Sequence, residues 1–169
     1  MIDKKLQEKF FDEYGTPMHV RRHCSAVAEC AVKIGKALNE VGYKLDLELV
    51  EGAANVHDVA RTAADHEKVG AEFLVERGYE REARLVRGHM RHAFNPVDQI
   101  DELDVLCMAD RVVKEDEYVG IDERMAYLMQ KPGMTPERIQ RIKMIAEETR
   151  EYFEELEKLI GKTFDELLG

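Results

Sequence analysis

Six ionisable side chains limit what this chain can fold into more than any other feature. His23, His57, Asp58, His66, His89 and Asp110 all fall on the apolar stripes of segments with helical periodicity, and they come from five different segments. A buried ionisable group carries a desolvation cost unless it is paired or metal-bound. A lone histidine on an apolar face is more often a hydrogen-bonded core residue than a ligand. Six such groups in one small domain favour convergence on a shared site instead. Imidazole and carboxylate together suit a first-row transition metal such as iron, manganese or zinc. The adjacent pair is informative, because helix neighbours point about 100° apart. Such a pair can still turn toward one metal held near the end of a helix.

The periodicity gives the helices. Leu6 and Phe10 are four apart, and "YGTP" ends the first helix. The second runs from about Met18 to Val41, with Val20, His23, Val27, Ala31, Ile34 and Leu38 on one face and Gly42 as C-cap. Asp46 caps a third helix, about Leu47 to Asp58. Asp65 caps a fourth that Gly78 stops. A fifth spans about Glu80 to Arg91, before "FNP", and a sixth about Ile100 to Val119. Asp122 caps a short seventh that ends before "KPG". Thr135 and Pro136 open a long last helix to about Ile160, and Thr163 and Glu166 form a capping box for a final turn. No convincing alternating strand is present. The expected fold is all-α, with about seven to eight helices in a single domain, residues 1–169.

Composition narrows the partners. The net charge is −10, a poor match for long nucleic acid but compatible with a small phosphorylated ligand in a local basic pocket. Apolar residues at 44% and charged residues at 36% fit a globular, helix-rich chain and not a disordered one. Cys24, Cys30 and Cys107 match no zinc motif or disulfide framework, which predicts buried, reduced thiols. The amphipathic N-terminal stretch lacks the apolar core of a signal peptide, and no segment approaches transmembrane length. The expected location is cytoplasmic, away from membranes.

The ordered stretches "RRHCSAVA", "AANVHDVART", "DHEKVGAEFL", "VRGHM" and "CMADRVV" resemble the HD superfamily of metal-dependent phosphohydrolases. The resemblance covers about residues 18–125 and implies a compact helical HD-domain core, with 135–160 as a packing helix. It assigns His23 to the family's first histidine, His57 and Asp58 to the central pair, and Asp110 to the last aspartate. His66 and His89 sit where members with two metals carry extra ligands, which implies a binuclear site bridged by Asp58. One departure stands out: the family's usual "HDIGK" is here "HDVAR", with Ala60 for the glycine and Arg61 for the lysine. Arginine can bind phosphate in a planar, bidentate way that lysine cannot.

The resemblance implies hydrolysis of a phosphate ester or anhydride in a small, nucleotide-like substrate by a metal-activated hydroxide. One or two divalent ions are implied: iron or manganese by preference, or nickel, cobalt, zinc or magnesium. Asp58 and Arg61 are the catalytic candidates, and Arg61, Arg111 and Lys68 are the candidates for binding phosphate. Arg124 is a weaker one. Arg87, Arg91 and Lys114 read as surface charge. His19, in the first turn after Pro17, reads as a surface residue or an outer partner of the site. His92 reads as solvent-facing, with a supplementary ligand or substrate contact as the alternative. The tail helix reads as packing, with a homodimer interface left open. Two other readings remain: a non-catalytic metal- or nucleotide-binding regulatory module, and a di-iron oxygenase of the inositol oxygenase type. Neither a nucleophile triad nor a Gly-rich phosphate loop is present.

Overall fold

A computed structural model describes residues 1–169. Nine α-helices follow one another: α1 Lys4–Tyr14, α2 Met18–Glu40, α3 Leu47–Ala54, α4 His66–Val75, α5 Glu80–Gly88, α6 Glu102–Asp110, α7 Gly120–Met129, α8 Pro136–Ile160 and α9 Phe164–Leu168. The caps expected at Asp46, Thr135 and Thr163 form. Each side chain accepts a backbone N–H of the first turn, and Glu166 completes its capping box. No helix is long and apolar enough to cross a membrane. All three cysteines are free and buried.

The helices enclose two apolar cores. The larger gathers Val27, Ile34 and Leu38 of α2 with Val50 of α3, Leu106 and Met108 of α6 and Leu156 of α8. The smaller gathers Phe10 and Phe11 of α1 with Val20 of α2, Val56, Leu74 of α4 and Val86 of α5. The ionisable residues come from elements of both cores: Leu74 of α4 belongs to the smaller and Leu106 of α6 to the larger, while α2 and α5 contribute to each, and where these elements adjoin is the seam between the cores.

Four boundaries differ from the periodic reading. α3 stops at Ala54 and not at Asp58. Residues 55–64 form successive tight turns, with Val59 N–H donating to Val56 O, Arg61 N–H to Asp58 O and Ala63 N–H to Ala60 O. A buried, irregular stretch must find partners for its backbone groups, and distant side chains supply them. Gln7 Nε2 donates to Asn55 O and Thr16 Oγ1 to Val59 O, both at 2.7 Å, and the Asn55 side chain in turn donates to Ile2 O at 3.1 Å. α5 ends at Gly88, three residues early, which puts His89 at its C-cap.

The sixth helix ends at Asp110, not Val119. A small antiparallel hairpin follows, β1 Val113–Lys114 paired with β2 Glu117–Tyr118. It is the one exception to the all-α expectation, and its tip residue Glu115 has φ 54. α7 then starts at Gly120, so Asp122 lies in its first turn and does not cap it.

Replacing Gln7 with leucine keeps the bulk but orphans the buried Asn55 carbonyl. The expected cost is about 1–3 kcal/mol in urea unfolding, with weaker metal binding because the turn carrying His57 and Asp58 loosens. Unchanged unfolding would show that the turn holds itself.

Candidate metal centre

All six sequence candidates meet at the seam. His23 comes from α2, His57 and Asp58 from the turn after α3, His66 from the first residue of α4, His89 from the end of α5 and Asp110 from the last residue of α6. Among these six, two groups have ligand atoms close enough to share an ion, His23–His57–Asp58 and Asp58–His66–His89, and Asp58 belongs to both. Its two oxygens divide between them. Oδ1 lies 3.2 Å from His66 Nε2 and 3.6 Å from His89 Nε2, whereas Oδ2 lies 3.9 Å from His57 Nε2. Asp110 Oδ1 closes the first group, 3.0 Å from His23 Nε2 and 3.8 Å from His57 Nε2.

The rings are held from behind. His57 Nδ1 donates to Ala54 O at 2.9 Å, His89 Nδ1 to Val86 O at 2.6 Å and His23 Nδ1 to Glu115 O at 2.7 Å. A proton on Nδ1 leaves the Nε2 lone pair free to face the seam. The hairpin exists in the right place for this, since Arg22 also grips its tip through Asp116 at 3.0 Å. Its left-handed Glu115 aims the accepting carbonyl at His23. His66 is different: its Nδ1 accepts from Arg61 Nη1 at 3.3 Å and lies 3.7 Å from Glu67 Oε2.

Charge is distributed unevenly. Burial lowers the His57 imidazole to about 4 in spite of Asp58 and Asp110. Burial alone would raise the Asp58 carboxyl, but the nearby imidazoles of His57, His66 and His89 hold it well below its ordinary value. The same balance holds Asp110 low, through His23 and His57. Burial opposes protonation of His23 and His89, yet Asp110 and Asp58 respectively outweigh it and raise both.

The donor set fits a metal ion. His57 Nε2, Asp58 Oδ1 and His66 Nε2 are buried polar atoms with no hydrogen-bond partner. Such orphans are rare in proteins and call for an explanation. Imidazole nitrogens with outer hydrogen bonds, beside carboxylate oxygens, are ligands for a first-row divalent cation.

Other candidates separate clearly. Arg61 borders the centre, its Nε 3.4 Å from Asp58 Oδ2 and its side chain 43% exposed. Lys68 is exposed in the first turn of α4. Arg111 is a correction to the phosphate assignment, because its guanidinium is committed elsewhere. It donates to Thr149 Oγ1 and His92 O, both at 3.0 Å, and lies over the Phe94 ring at 4.3 Å. His92 is not solvent-facing: it bonds the fully buried Asp104, which also accepts from Asn95 and from Asp101 N–H. This cluster ties down the loop after His89. His19 is exposed, and Arg87 and Lys114 make the surface ion pairs expected of them, with Glu72 and Glu123. Sequence reasoning missed Gln7, Thr16 and Asn55, and gave Arg124 too little weight: its side chain is 12% exposed and faces Asp110.

The profile of the HD domain family matches residues 20–114, more than half of the chain. The chain therefore belongs to the HD domain family, whose members are in the main metal-dependent phosphohydrolases. It is similar to an uncharacterized protein of Methanocaldococcus jannaschii, 26% identical over 147 residues, covering 77% of this chain and 87% of the relative. No solved structure matches it significantly.

Metal binds neutral imidazole, so protons compete with it. The raised His23 and His89 move that competition above the ordinary histidine value of about 6.5. Divalent-metal affinity is expected to rise at least tenfold from about pH 6 to pH 8, with proton release visible by calorimetry in two buffers. A flat profile would mean that these histidines do not ligate.

Proposed function

We propose that this protein is a metal-dependent phosphohydrolase with two divalent ions, held by His23, His57, Asp58 and Asp110 on one side and by Asp58, His66 and His89 on the other. One observation carries the reading: buried, unpartnered Nε2 atoms face a carboxylate whose two oxygens serve two groups of histidines. Bound ions would supply a nucleophilic water near neutral pH and polarise a phosphoryl oxygen. Iron or manganese is the preferred occupant, given three or more imidazoles with carboxylates.

The chain's own residues do the rest. Asp58, held ionised by its neighbours, keeps both oxygens available across the pH range of the histidines. His66 presents its Nε2 lone pair only if its proton sits on Nδ1, facing Glu67. Arg61, always a donor, must then leave Nδ1. That frees its guanidinium to neutralise charge growing on a phosphoryl group. Lys68 supports phosphate at the exposed rim. The whole chain acts as one domain, on a small, nucleotide-like phosphate in the cytoplasm.

The test is metal content per chain on tag-free protein, with hydrolysis of a panel of nucleoside phosphates under iron, manganese, cobalt, nickel, zinc and magnesium. We expect about two ions and metal-dependent phosphate release, both lost in Asp58→Ala, with a fall in rate of about a thousandfold or more. Release that persists without metal, or in Asp58→Ala, would overturn the reading. Oxygen consumption in place of phosphate release would favour the oxygenase alternative.

A further inference from the structure

The cations on the Asp110 side of the centre cannot themselves be metal ligands. Arg124, on α7, is nearly enclosed, and its Nη2 lies 3.8 Å from Asp110 Oδ1, too long for a hydrogen bond. Its Nε is buried with no partner. One distant carboxylate oxygen does not offset the desolvation of a guanidinium so placed. Lys131 lies just past the end of the same helix, and both reach the face of one ring. The Lys131 ammonium is 5.1 Å and the Arg124 guanidinium 5.9 Å from the centroid of Tyr127. Lys114, at 5.5 Å from that ring, is tied to Glu123, whereas Lys131 forms no ion pair.

Burial lowers the Lys131 pKa, Arg124 and Arg61 lower it further, and Asp58 and Asp110 oppose them. Divalent ions bound to Asp58 and Asp110 would use up the negative charge that these three cations now share. In the loaded state Arg61, Arg124 and Lys131 need another anion.

We propose that Arg124 and Lys131 bind the terminal phosphoryl group of the substrate from the Asp110 side, together with Arg61 at Asp58. The assignment rests on the phosphohydrolase reading and adds the substrate class: a doubly charged terminal phosphate, not a singly charged internal diester. Three cations around one such centre are best balanced by a group with charge on several oxygens.

The experiment titrates manganese-loaded full-length protein by calorimetry with inorganic phosphate and with dimethyl phosphate, while metal content is measured in the same samples. The wild type is expected to bind phosphate at least about tenfold more tightly than dimethyl phosphate. Arg124→Gln and Lys131→Gln should each keep their metal and lose about tenfold in phosphate affinity. Arg141→Gln, on the exposed part of α8, should change nothing. Unchanged phosphate affinity in both variants overturns the assignment, and so does equal binding of the two phosphates. Loss of metal in Arg124→Gln also overturns it, because Arg124 would then be a positioning residue for Asp110. A loaded wild type that binds neither phosphate sinks the phosphohydrolase reading itself, an outcome distinct from failure of the variants.

Discussion

A carboxylate at 8% exposure, surrounded by three imidazoles, would be costly in most proteins. Here Asp58 makes the seam between two apolar cores habitable. Its charge keeps His89 prone to protonation and is itself held by His57 and His66. Every neighbouring element contributes to its surroundings, and none could be moved without exposing or stranding that charge. The turns at residues 55–64 exist to deliver it. A continuous helix would have separated His57 and Asp58 by about 100°, whereas tight turns let both reach the seam.

Much of this was legible in the sequence because its signals are local. The caps at Asp46, Thr135 and Thr163 act within three or four residues, and the stripe on α2 is a matter of spacing. The six ionisable residues stood out because each interrupts an apolar pattern, and the structure brings all six together. What escaped depends on contacts between residues far apart in the chain. The end of α3 is set by Gln7 reaching Asn55 and Thr16 reaching Val59, 48 and 43 residues away. No periodicity within residues 47–58 could reveal that.

The misread side chains have the same cause. Arg111 follows Asp110 directly and is basic, which made it look like a phosphate contact. It instead turns to Thr149, 38 residues on, and stacks on Phe94. His92 resembled a surface residue three after His89, but Asp104 captures it. The hairpin after α6 was hidden because two strands of two residues each are too short for an alternating pattern. Its contact with His23 is carried by a backbone carbonyl, which leaves no mark in the sequence.

The six ionisable residues sit on elements of two hydrophobic clusters, to both of which α2 and α5 contribute. Small proteins often open in separate cooperative units, each with its own free energy. An ion held as proposed, from both sides of such a seam, would behave as a reversible staple. It would add no contact within either cluster, yet it would forbid one to open without the other. Amide hydrogens of α1, α4 and α5 would then exchange at a rate of their own in the apo protein and in step with α6 and α8 once an ion is seated. The chain's cooperativity, and not only its stability, would depend on the metal supply.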